Sequence, residues 1–349
     1  MKRYMRRIAL LVAALLMIPA VLISCAKPQK WVTHSLDYFD TATTITGYEV
    51  DREEFDRVSA QVLAQLGEYH RLYTIYSGED NLRAINALQD GVHPVVTVDS
   101  RIIDMLLYAK EMYTLTGGRV NVAMGSVLSI WHNYRQAGLD EPWAAELPPM
   151  ELLLRAAQHT DIEQMIIDPQ ASTVWLADPE MTLDVGAIAK GYAVEMVAQA
   201  LEAQGISGYV INVGGNVRTV GTKPDGEPWL AGIENPNKDA EPVYIEYLKL
   251  AGESVVTSGS YQRYYMVGNQ SYHHIIDSQT LMPAQGYLSV SVVCKSSALG
   301  DALSTALFCM PLEEGMALVN SLPDVEVLWV MQDETVVRSE GFERFVTQP

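Results

Sequence analysis

The order of helical and strand-like segments is the feature that most constrains how this chain can fold. Apolar residues recur at helical spacing early in the chain, in residues 53–73, 100–113, 124–134 and 150–159. One strand-like run precedes them, at residues 41–50. Helices cluster early and strands late, without the regular alternation that builds a parallel sheet. The sequence therefore predicts an α+β fold with a mainly antiparallel sheet flanked by helices.

The later strands are short runs rich in β-branched and aromatic residues, namely 165–167, 173–176, 209–213, 217–221, 229–234, 243–248, 261–267 and 288–294. Helical stretches interrupt them at residues 186–204, 298–310 and 312–322. Neither a Gly-x-Gly-x-x-Gly sequence nor a Walker sequence occurs in the chain. These absences argue against a Rossmann or P-loop nucleotide site.

The first two dozen residues have the pattern of an export signal. Four basic residues precede an apolar run from Ile8 to Ile23, and Ser24-Cys25 follows it. Leu22 to Cys25 resembles a bacterial lipobox, in which the cysteine is lipidated; an ordinary cleaved signal or an uncleaved anchor is the alternative. We therefore predict a lipoprotein signal peptide at 1–24, a short polar tether at 25–33 and one domain at 34–349. This arrangement implies an extracytoplasmic protein that is anchored to the cell membrane through Cys25.

The charge of the chain limits its partners. The formal net charge is −19, and removal of residues 1–24 takes away four basic residues and no acidic residue, which leaves −23. Such a protein repels nucleic acid and anionic lipid surfaces, so we expect no nucleic-acid partner. An anionic nucleotide would have to be held by a metal ion, by helix N-termini or by a few local cations.

Two segments combine glycines with polar residues where the backbone can approach a ligand. In the first, Asp184 precedes a long helix, and Lys190 follows among small residues, where it could supply a point charge for a phosphate. A helix cap is the alternative role for Asp184. In the second, Gly214 and Gly215 separate two strand-like runs, with asparagines and an arginine around them. A simple hairpin turn explains this second segment equally well.

Two further segments point to catalysis and metal binding. His273 and His274 are consecutive in a strand-like run, so only one of them can face a given site. We favour His274 for acid–base work, although a buried structural histidine is the common alternative. Asp301 and Thr305 lie four residues apart in an apolar helical run, so a carboxylate and a hydroxyl share one helix face. Oxygen ligands at this spacing suit Mg²⁺, whereas a solvated helix face is the alternative.

These segments, in this order behind a lipobox, resemble the ApbE family of FAD:protein FMN transferases. The resemblance spans nearly all of residues 34–349. It rests most on the ordered blocks 184–192, 212–218, 257–261, 274–277 and 301–305. The resemblance implies a single T-fold-like domain. It also implies that FAD is the substrate and that Mg²⁺ is the cofactor.

The resemblance also assigns roles to individual residues. Asp301, Thr305 and the backbone carbonyl of Ala187 would hold Mg²⁺, and His274 and Asp301 would be catalytic. The residues that would contact FAD are Phe39, Tyr76, Arg119, Val120, Asn121, Asp184, Lys190 and, packed nearby, Ile276. The chain departs from the family pattern at Asn121, where many members carry an acidic residue. It departs again at Ser278, which stands where a proline usually follows the aspartate.

The implied reaction is a Mg²⁺-dependent transfer of FMN from FAD to a threonine or serine of an acceptor protein, with release of AMP. The implied acceptor is a flavoprotein subunit of a membrane redox complex that carries a short Asp/Ser-Gly-Ala/Ser-Thr-type motif. Two alternatives stay open on sequence grounds. One is a Mg²⁺-dependent FAD pyrophosphatase that uses water as the nucleophile, and the other is an FAD-binding lipoprotein without catalysis.

Overall fold

The computed structural model describes residues 27–348, so the predicted signal peptide and the predicted lipidation site Cys25 lie outside the described part. Its strands are β1 (Gln29–Ser35), β2 (Thr43–Glu49), β3 (Val96–Thr97), β4 (Met165–Asp168), β5 (Thr173–Leu176), β6 (Tyr209–Val213), β7 (Asn216–Val220), β8 (Trp229–Glu234), β9 (Tyr244–Leu250), β10 (Ser254–Gly259), β11 (Tyr264–Val267), β12 (Gln270–His273), β13 (Tyr287–Cys294), β14 (Glu326–Met331) and β15 (Val336–Arg338). Its α-helices are α1 (Arg52–Tyr73), α2 (Leu82–Asn86), α3 (Ser100–Leu115), α4 (Gly125–Asp140), α5 (Met150–Ala156), α6 (Ala189–Ala203), α7 (Ser297–Phe308) and α8 (Leu312–Ser321). No helix within this part is both long and apolar enough to cross a membrane.

An eight-stranded sheet in the order β1-β2-β6-β7-β10-β13-β14-β15 forms the centre of the molecule. Every neighbouring pair in it is antiparallel. Smaller sheets are formed by β3-β5-β4, by β8-β9 and by β11-β12, and their pairs are antiparallel as well. The predicted α+β class with a mainly antiparallel sheet is therefore confirmed.

The burial of each strand reflects what covers its two faces. In β2, residues alternate between buried and half-buried, as expected for a strand with one covered face. In β13 nearly every residue is buried, and its sequence is an almost unbroken run of small and apolar side chains. The helices α1, α6 and α7 pack on one face of the sheet, and the β8-β9 hairpin packs on the other. The middle of the sheet is thus a three-layer core.

A second, smaller apolar cluster lies beside this core. It is built from α4, α5 and the β11-β12 hairpin, with Trp131, Leu153 and Tyr265 at its centre. The Trp131 indole donates a hydrogen bond to the carbonyl oxygen of Leu281 at 2.9 Å, which ties α4 to the loop after β12. This cluster forms one wall of the cavity described below.

The structure differs from the sequence predictions at several places. Residues 29–33, predicted as part of the tether, belong to β1, because Gln29–Ser35 pairs along its whole length with β2. The strands β3, β10, β14 and β15 and the short helix α2 were not predicted, and β12 was predicted only as a strand-like run around His273. The long helix predicted from residue 186 begins only at Ala189, and its N-cap residue Ile188 makes no side-chain capping bond. The capping role considered for Asp184 is therefore wrong.

A buried ion network joins the sheet to two helices. Arg218 on β7 pairs with two glutamates of α6. Its Nε atom lies 3.2 Å from Oε2 of Glu195, and its Nη2 atom lies 2.9 Å from Oε1 of Glu202. Glu195 also accepts a hydrogen bond of 2.7 Å from the N–H of Ser297, the first residue of α7. Arg218 and Glu195 are only 3% and 4% exposed. This network fixes the start of α7 against α6 and the sheet.

We predict that Glu195→Ala lowers the free energy of unfolding by about 3 kcal/mol, because it leaves the Arg218 guanidinium buried without its main partner. Urea unfolding followed by circular dichroism measures this change. The matched control is Arg57→Ala, which removes an exposed ion pair with Glu54 and should leave the free energy of unfolding nearly unchanged. Equal losses in the two variants would contradict the structural role of the network.

Candidate active site

A cavity of about 840 Å³ lies between the ends of the inner strands β2, β6, β7 and β10 of the central sheet and the smaller cluster. It collects residues from distant parts of the chain. The predicted site residues that line it are Tyr76, Arg119, Val120, Asn121, Asp184, Ala187, Lys190, His274, Ile276, Asp301 and Thr305. Burial of a large fraction of a nucleotide-sized ligand is possible in a cavity of this volume.

Phe39 is the exception among the predicted site residues. It does not line the cavity, although its neighbours Asp40 and Thr41 do. Its N–H donates a 3.2 Å hydrogen bond to Nδ1 of His70, and its ring packs edge-on against the same histidine. The structure therefore places Phe39 outside the cavity lining, in contact with His70.

Asp301 is a buried carboxylate held by three positive or donor groups. The Gly191 N–H donates to its Oδ2 at 2.8 Å, and the Asn216 amide donates to its Oδ1 at 3.3 Å. The Lys190 ammonium lies 3.7 Å from Oδ1. Asp301 is only 4% exposed, and ionised carboxylates at such burial depend on partners of this kind.

The contact between α6 and α7 at this point requires a glycine. A Cβ atom on Gly191 would overlap the Cβ of Asp301 and the carbonyl oxygen of Ser297. Because glycine lacks that atom, the backbone of α6 can approach Asp301 closely enough to donate its N–H. The small residues noted around Lys190 in the sequence thus allow two helices to meet.

The residues beside Asp301 fit a Mg²⁺ ion. Thr305 lies one helical turn after Asp301 on α7, and both line the cavity together with Ala187. These groups offer a carboxylate, a hydroxyl and a backbone carbonyl, which are the hard oxygen ligands that Mg²⁺ prefers. The Oδ1 atom of Asn216, next to Asp301, is buried and lacks a hydrogen-bond partner among the described residues. Within residues 27–348 there is no cluster of three or more His, Cys, Asp and Glu side chains arranged to hold a metal.

Asp184 lies in the wall of the cavity, just before α6. Burial raises the pKa of its carboxyl, and the 2.8 Å hydrogen bond from the Gly186 N–H opposes that shift. A desolvated carboxylate gains stability from a ligand that donates hydrogen bonds to it. Asp184 is therefore suited to binding a donor group of a substrate.

His274 follows β12 and lines the cavity, whereas His273 is buried and contacts the Ala284 carbonyl through Nε2 at 2.8 Å. The Nδ1 atom of His274 lies 3.2 Å from the carbonyl oxygen of Arg263. Because a carbonyl only accepts hydrogen bonds, Nδ1 carries the proton and Nε2 keeps its lone pair in the neutral ring. Burial, followed by the positive charge of Arg263, lowers the pKa of His274 to about 3. The ring is thus neutral near pH 7.

Arg119 and Asn121 line the cavity, but their side chains are bound to the protein itself. Arg119 donates to the Cys309 carbonyl at 2.6 Å and pairs with Asp277 and Glu314. Asn121 donates to the Thr160 carbonyl at 2.8 Å and accepts from the Ala123 N–H at 2.9 Å. Both residues shape the wall. The terminal nitrogens of Arg119 and the amide of Asn121 are already bound to the protein, whereas the buried Nε of Arg119 has no hydrogen-bond partner among the described residues.

The paired glycines form a hairpin turn and also belong to the cavity. Gly214 and Gly215 connect β6 to β7 with positive φ angles of 55° and 92°. Both line the cavity, as does Asn212, which accepts a hydrogen bond from the Gly215 N–H at 3.1 Å. Arg218, by contrast, lies in the buried network and not in the lining. The segment is therefore a hairpin turn, as one interpretation of the sequence had it, and it is also part of the polar lining of the cavity, as the other had it.

Comparison with known proteins agrees with this architecture. The model of the ApbE family matches residues 39–329. This chain belongs to the ApbE family. An FAD:protein FMN transferase of Klebsiella pneumoniae is 31% identical over 285 residues, which cover 81% of this chain and 85% of the relative.

Two solved ApbE structures have the same fold. The crystal structure of the ApbE protein from Thermotoga maritima aligns with a TM-score of 0.79 at 26% identity and covers 92% of this chain and 100% of its own. The flavin transferase ApbE from Vibrio cholerae aligns with a TM-score of 0.73 at 26% identity, and the coverages are 91% and 99%. The resemblance inferred from the ordered motifs and the fold that it implied are both confirmed.

The cavity of this ApbE family member also contains residues that were not predicted. The most notable are two arginines, Arg135 and Arg263, together with His132 and Lys238. Nothing in their local sequence distinguishes them from ordinary surface residues. The one usable signal is charge, since each is a basic residue in a strongly acidic chain.

We predict that His274 makes the stability of the protein fall in acid. Its pKa is lowered in the folded state, so the unfolded state binds more protons below its ordinary pKa of about 6.5, and stability falls as the pH drops toward 3. When the pH is lowered from 7.5 to 4.5, the free energy of unfolding should therefore fall less in His274→Asn than in the wild type, by up to about 2 kcal/mol. Urea unfolding at both pH values measures the difference. His34→Asn, at an exposed histidine, is the control and should follow the wild type.

Proposed function

We propose that this protein is an FAD:protein FMN transferase that needs Mg²⁺. The observation that carries the proposal is the convergence of Asp184, Lys190, His274, Asp301 and Thr305 on one cavity, although they come from separate elements. Membership of the ApbE family supports it, because relatives across this chain's length bear that activity in their names.

Asp301, Thr305 and the Ala187 carbonyl would hold Mg²⁺ in this proposal, and the ion would neutralise the pyrophosphate of FAD and stabilise charge on the departing AMP. Lys190, 3.7 Å from Asp301, adds a fixed positive charge beside the same site. A protein with this excess of acidic residues needs such local compensation before a pyrophosphate can enter.

The proposed reaction is a phosphoryl transfer to a hydroxyl of the acceptor protein. The oxygen of a threonine or serine forms a bond to the phosphorus on the riboflavin side of FAD. The bond between that phosphorus and the bridging oxygen breaks, and AMP leaves with the bridging oxygen. The hydroxyl proton passes to a base, and FMN is left in a phosphoester linkage. Alignment of hydroxyl and phosphorus in the cavity supplies much of the rate.

His274 is the base that the geometry supports. Its Nε2 is the acceptor nitrogen, because Nδ1 is bound to the Arg263 carbonyl. A pKa of about 3 would make it a weak base in the empty cavity. The negative charge of bound FAD opposes the effect of the neighbouring arginine and raises the pKa of His274 toward its ordinary value. Substrate binding would thus prepare His274 to take the proton.

The proposed location is extracytoplasmic, at the periplasmic or outer face of the cell membrane, with lipid attached to Cys25. The support is the lipobox-like sequence and the position of β1, which begins at Gln29. Four residues span no more than about 14 Å, so the folded domain would stay next to the membrane surface. An acceptor subunit of a membrane redox complex would lie within reach there.

We predict that the protein, with FAD and Mg²⁺, increases the mass of an acceptor domain carrying an Asp-Gly-Ala-Thr-type segment by one FMN minus water. Intact-mass spectrometry measures the product. EDTA or Asp301→Asn should reduce the rate at least about 100-fold, because each removes the metal or its carboxylate ligand. Glu313→Gln, at an exposed position of α8, is the charge-matched control and should keep the activity. Accumulation of free FMN and AMP with an unmodified acceptor would instead establish a pyrophosphatase, and bound but intact FAD would establish a carrier.

We predict that His274→Gln slows transfer at saturating FAD by about 100-fold or more and leaves FAD affinity within about threefold. The reason is that binding depends mainly on the metal and phosphate contacts, whereas proton removal depends on His274. Single-turnover rates and quenching of flavin fluorescence measure the two quantities separately. Weaker FAD binding without a slower single-turnover rate would move His274 from catalysis to binding.

A further inference from the structure

The cations that line the cavity fall into two groups. Three cations of the first group each have a carboxylate partner. The pairs are Arg119 with Asp277, Lys190 with Asp301, and Lys238 with Glu234. Arg135 and Arg263 form no salt bridge with any carboxylate of residues 27–348, and their hydrogen bonds go to neutral groups. These two arginines are therefore the uncompensated positive charge of the cavity. We call them the arginine pair.

Arg135 extends from α4 and is half-buried. Its guanidinium donates a 3.3 Å hydrogen bond to Nδ1 of His132, whose ring contacts that of Tyr76 at a centroid distance of 6.0 Å. Burial, and after it the charge of Arg263, lowers the pKa of Arg135. The unbound protein therefore holds this guanidinium in a place that disfavours its charge, and an anion would relieve the cost.

Arg263 lies in the turn before β11 and is exposed. Its guanidinium donates a 3.1 Å hydrogen bond to the carbonyl oxygen of Asp40, which also lines the cavity. Its own backbone carbonyl accepts two hydrogen bonds from His274, one from the backbone N–H at 3.0 Å and one from Nδ1 at 3.2 Å. The position of the proposed base and that of Arg263 are thus coupled directly.

The arginine pair lies near the entrance of the cavity. Tyr76, whose ring is beside His132, is 65% exposed, so this side is open to solvent. Asp301 and Lys190 are buried and half-buried. A segment of another protein that brings a hydroxyl to His274 has to pass the entrance, and therefore the arginine pair.

We propose that Arg135 and Arg263 bind a carboxylate of the acceptor segment that carries the attacking hydroxyl, and so align that hydroxyl with His274. This inference rests on the proposed transferase function. Guanidinium groups recognise carboxylates with paired, charge-assisted hydrogen bonds, and two of them on one side of an entrance select an acidic segment. In a chain with net charge −19, an acidic partner would otherwise be repelled.

The competing ligand of the same chemistry is a phosphate of FAD. The acceptor is favoured because a separate group of residues, Asp301, Thr305 and Lys190, already accounts for the pyrophosphate. The arginine pair is instead grouped with His274, where the acceptor hydroxyl has to lie. If the arginine pair binds a phosphate of FAD, substituting either arginine should weaken FAD binding. If the pair binds the acceptor, FAD affinity should stay nearly unchanged.

The test compares Arg135→Gln and Arg263→Gln with the wild-type protein on two acceptor domains. The first domain keeps the acidic residues of its modified segment, and in the second they are replaced by the matching amides. We expect each substitution to raise the KM for the acidic acceptor about tenfold and to leave the Kd of FAD, measured by flavin fluorescence, within about twofold. On the amide acceptor, wild type and variants should have the same raised KM, because the lost interaction is already absent.

A charge swap separates recognition from a structural effect. Arg135→Glu should modify the acidic acceptor at least about 100-fold less well and recover at least about tenfold on an acceptor with lysine in the acidic position. Lys238→Gln is the matched control, because it removes a cavity cation that already has a partner, and it should leave the preference for the acidic acceptor unchanged.

Several outcomes would overturn the inference. A weaker Kd of FAD with an unchanged acceptor KM would assign the arginine pair to a phosphate of FAD. A loss that is equal on the acidic and amide acceptors would assign it to the structure of the entrance. A wild-type protein that modifies neither acceptor would overturn the transferase function itself, whereas modification that is insensitive to acceptor charge would overturn this inference alone.

Discussion

The hydrogen bond from the Gly191 N–H to Asp301 is the contact on which the site depends. It exists because two helices, α6 and α7, meet where one of them has no side chain. The same contact places Lys190 beside the carboxylate and orients Asp301 toward the cavity. The buried network of Arg218 and Glu195 then holds the N-terminus of α7 through Ser297. The absence of a side chain at Gly191 thus determines where the carboxylate of Asp301 can lie as a ligand for a metal ion.

Charge compensation explains most of the remaining arrangement of the cavity. The protein is strongly acidic, yet three of the cations in the cavity are neutralised by neighbouring carboxylates, and the arginine pair is not. The buried end of the cavity suits a ligand that brings its phosphates with a divalent cation. The entrance suits a ligand that brings a carboxylate of its own. The cavity therefore has two ends with different electrostatic requirements, and His274 lies at the end with the arginine pair.

Much of this architecture was predictable from local sequence. Asp301 and Thr305 stood out because polar groups four residues apart in an apolar helix are costly. His274 was preferred over His273 because it lies three residues before Asp277 and close to a hydroxyl-rich run. Strand β10 was not predicted, because its serines and threonine resemble a loop. Two of its hydroxyls find their partners only in the folded protein, where Thr257 contacts Ser291 of β13 and Ser258 contacts Ser304 of α7. The arginine pair was missed for a related reason, since its lack of carboxylate partners is a property of three-dimensional packing.

The strand order has a consequence for how the chain can fold. One half of the central sheet, β1-β2-β6-β7, comes from before residue 221, and the other half, β10-β13-β14-β15, from after residue 253. The two halves pair with each other through β7 and β10, and Asp301 lies in the chain between β13 and β14. Folding therefore depends on contacts between residues far apart in the chain, which slows it relative to helical proteins of similar size. A chain that stops before α7 would lack both the helix that covers the core and the carboxylate of the site, so truncated products would be inert.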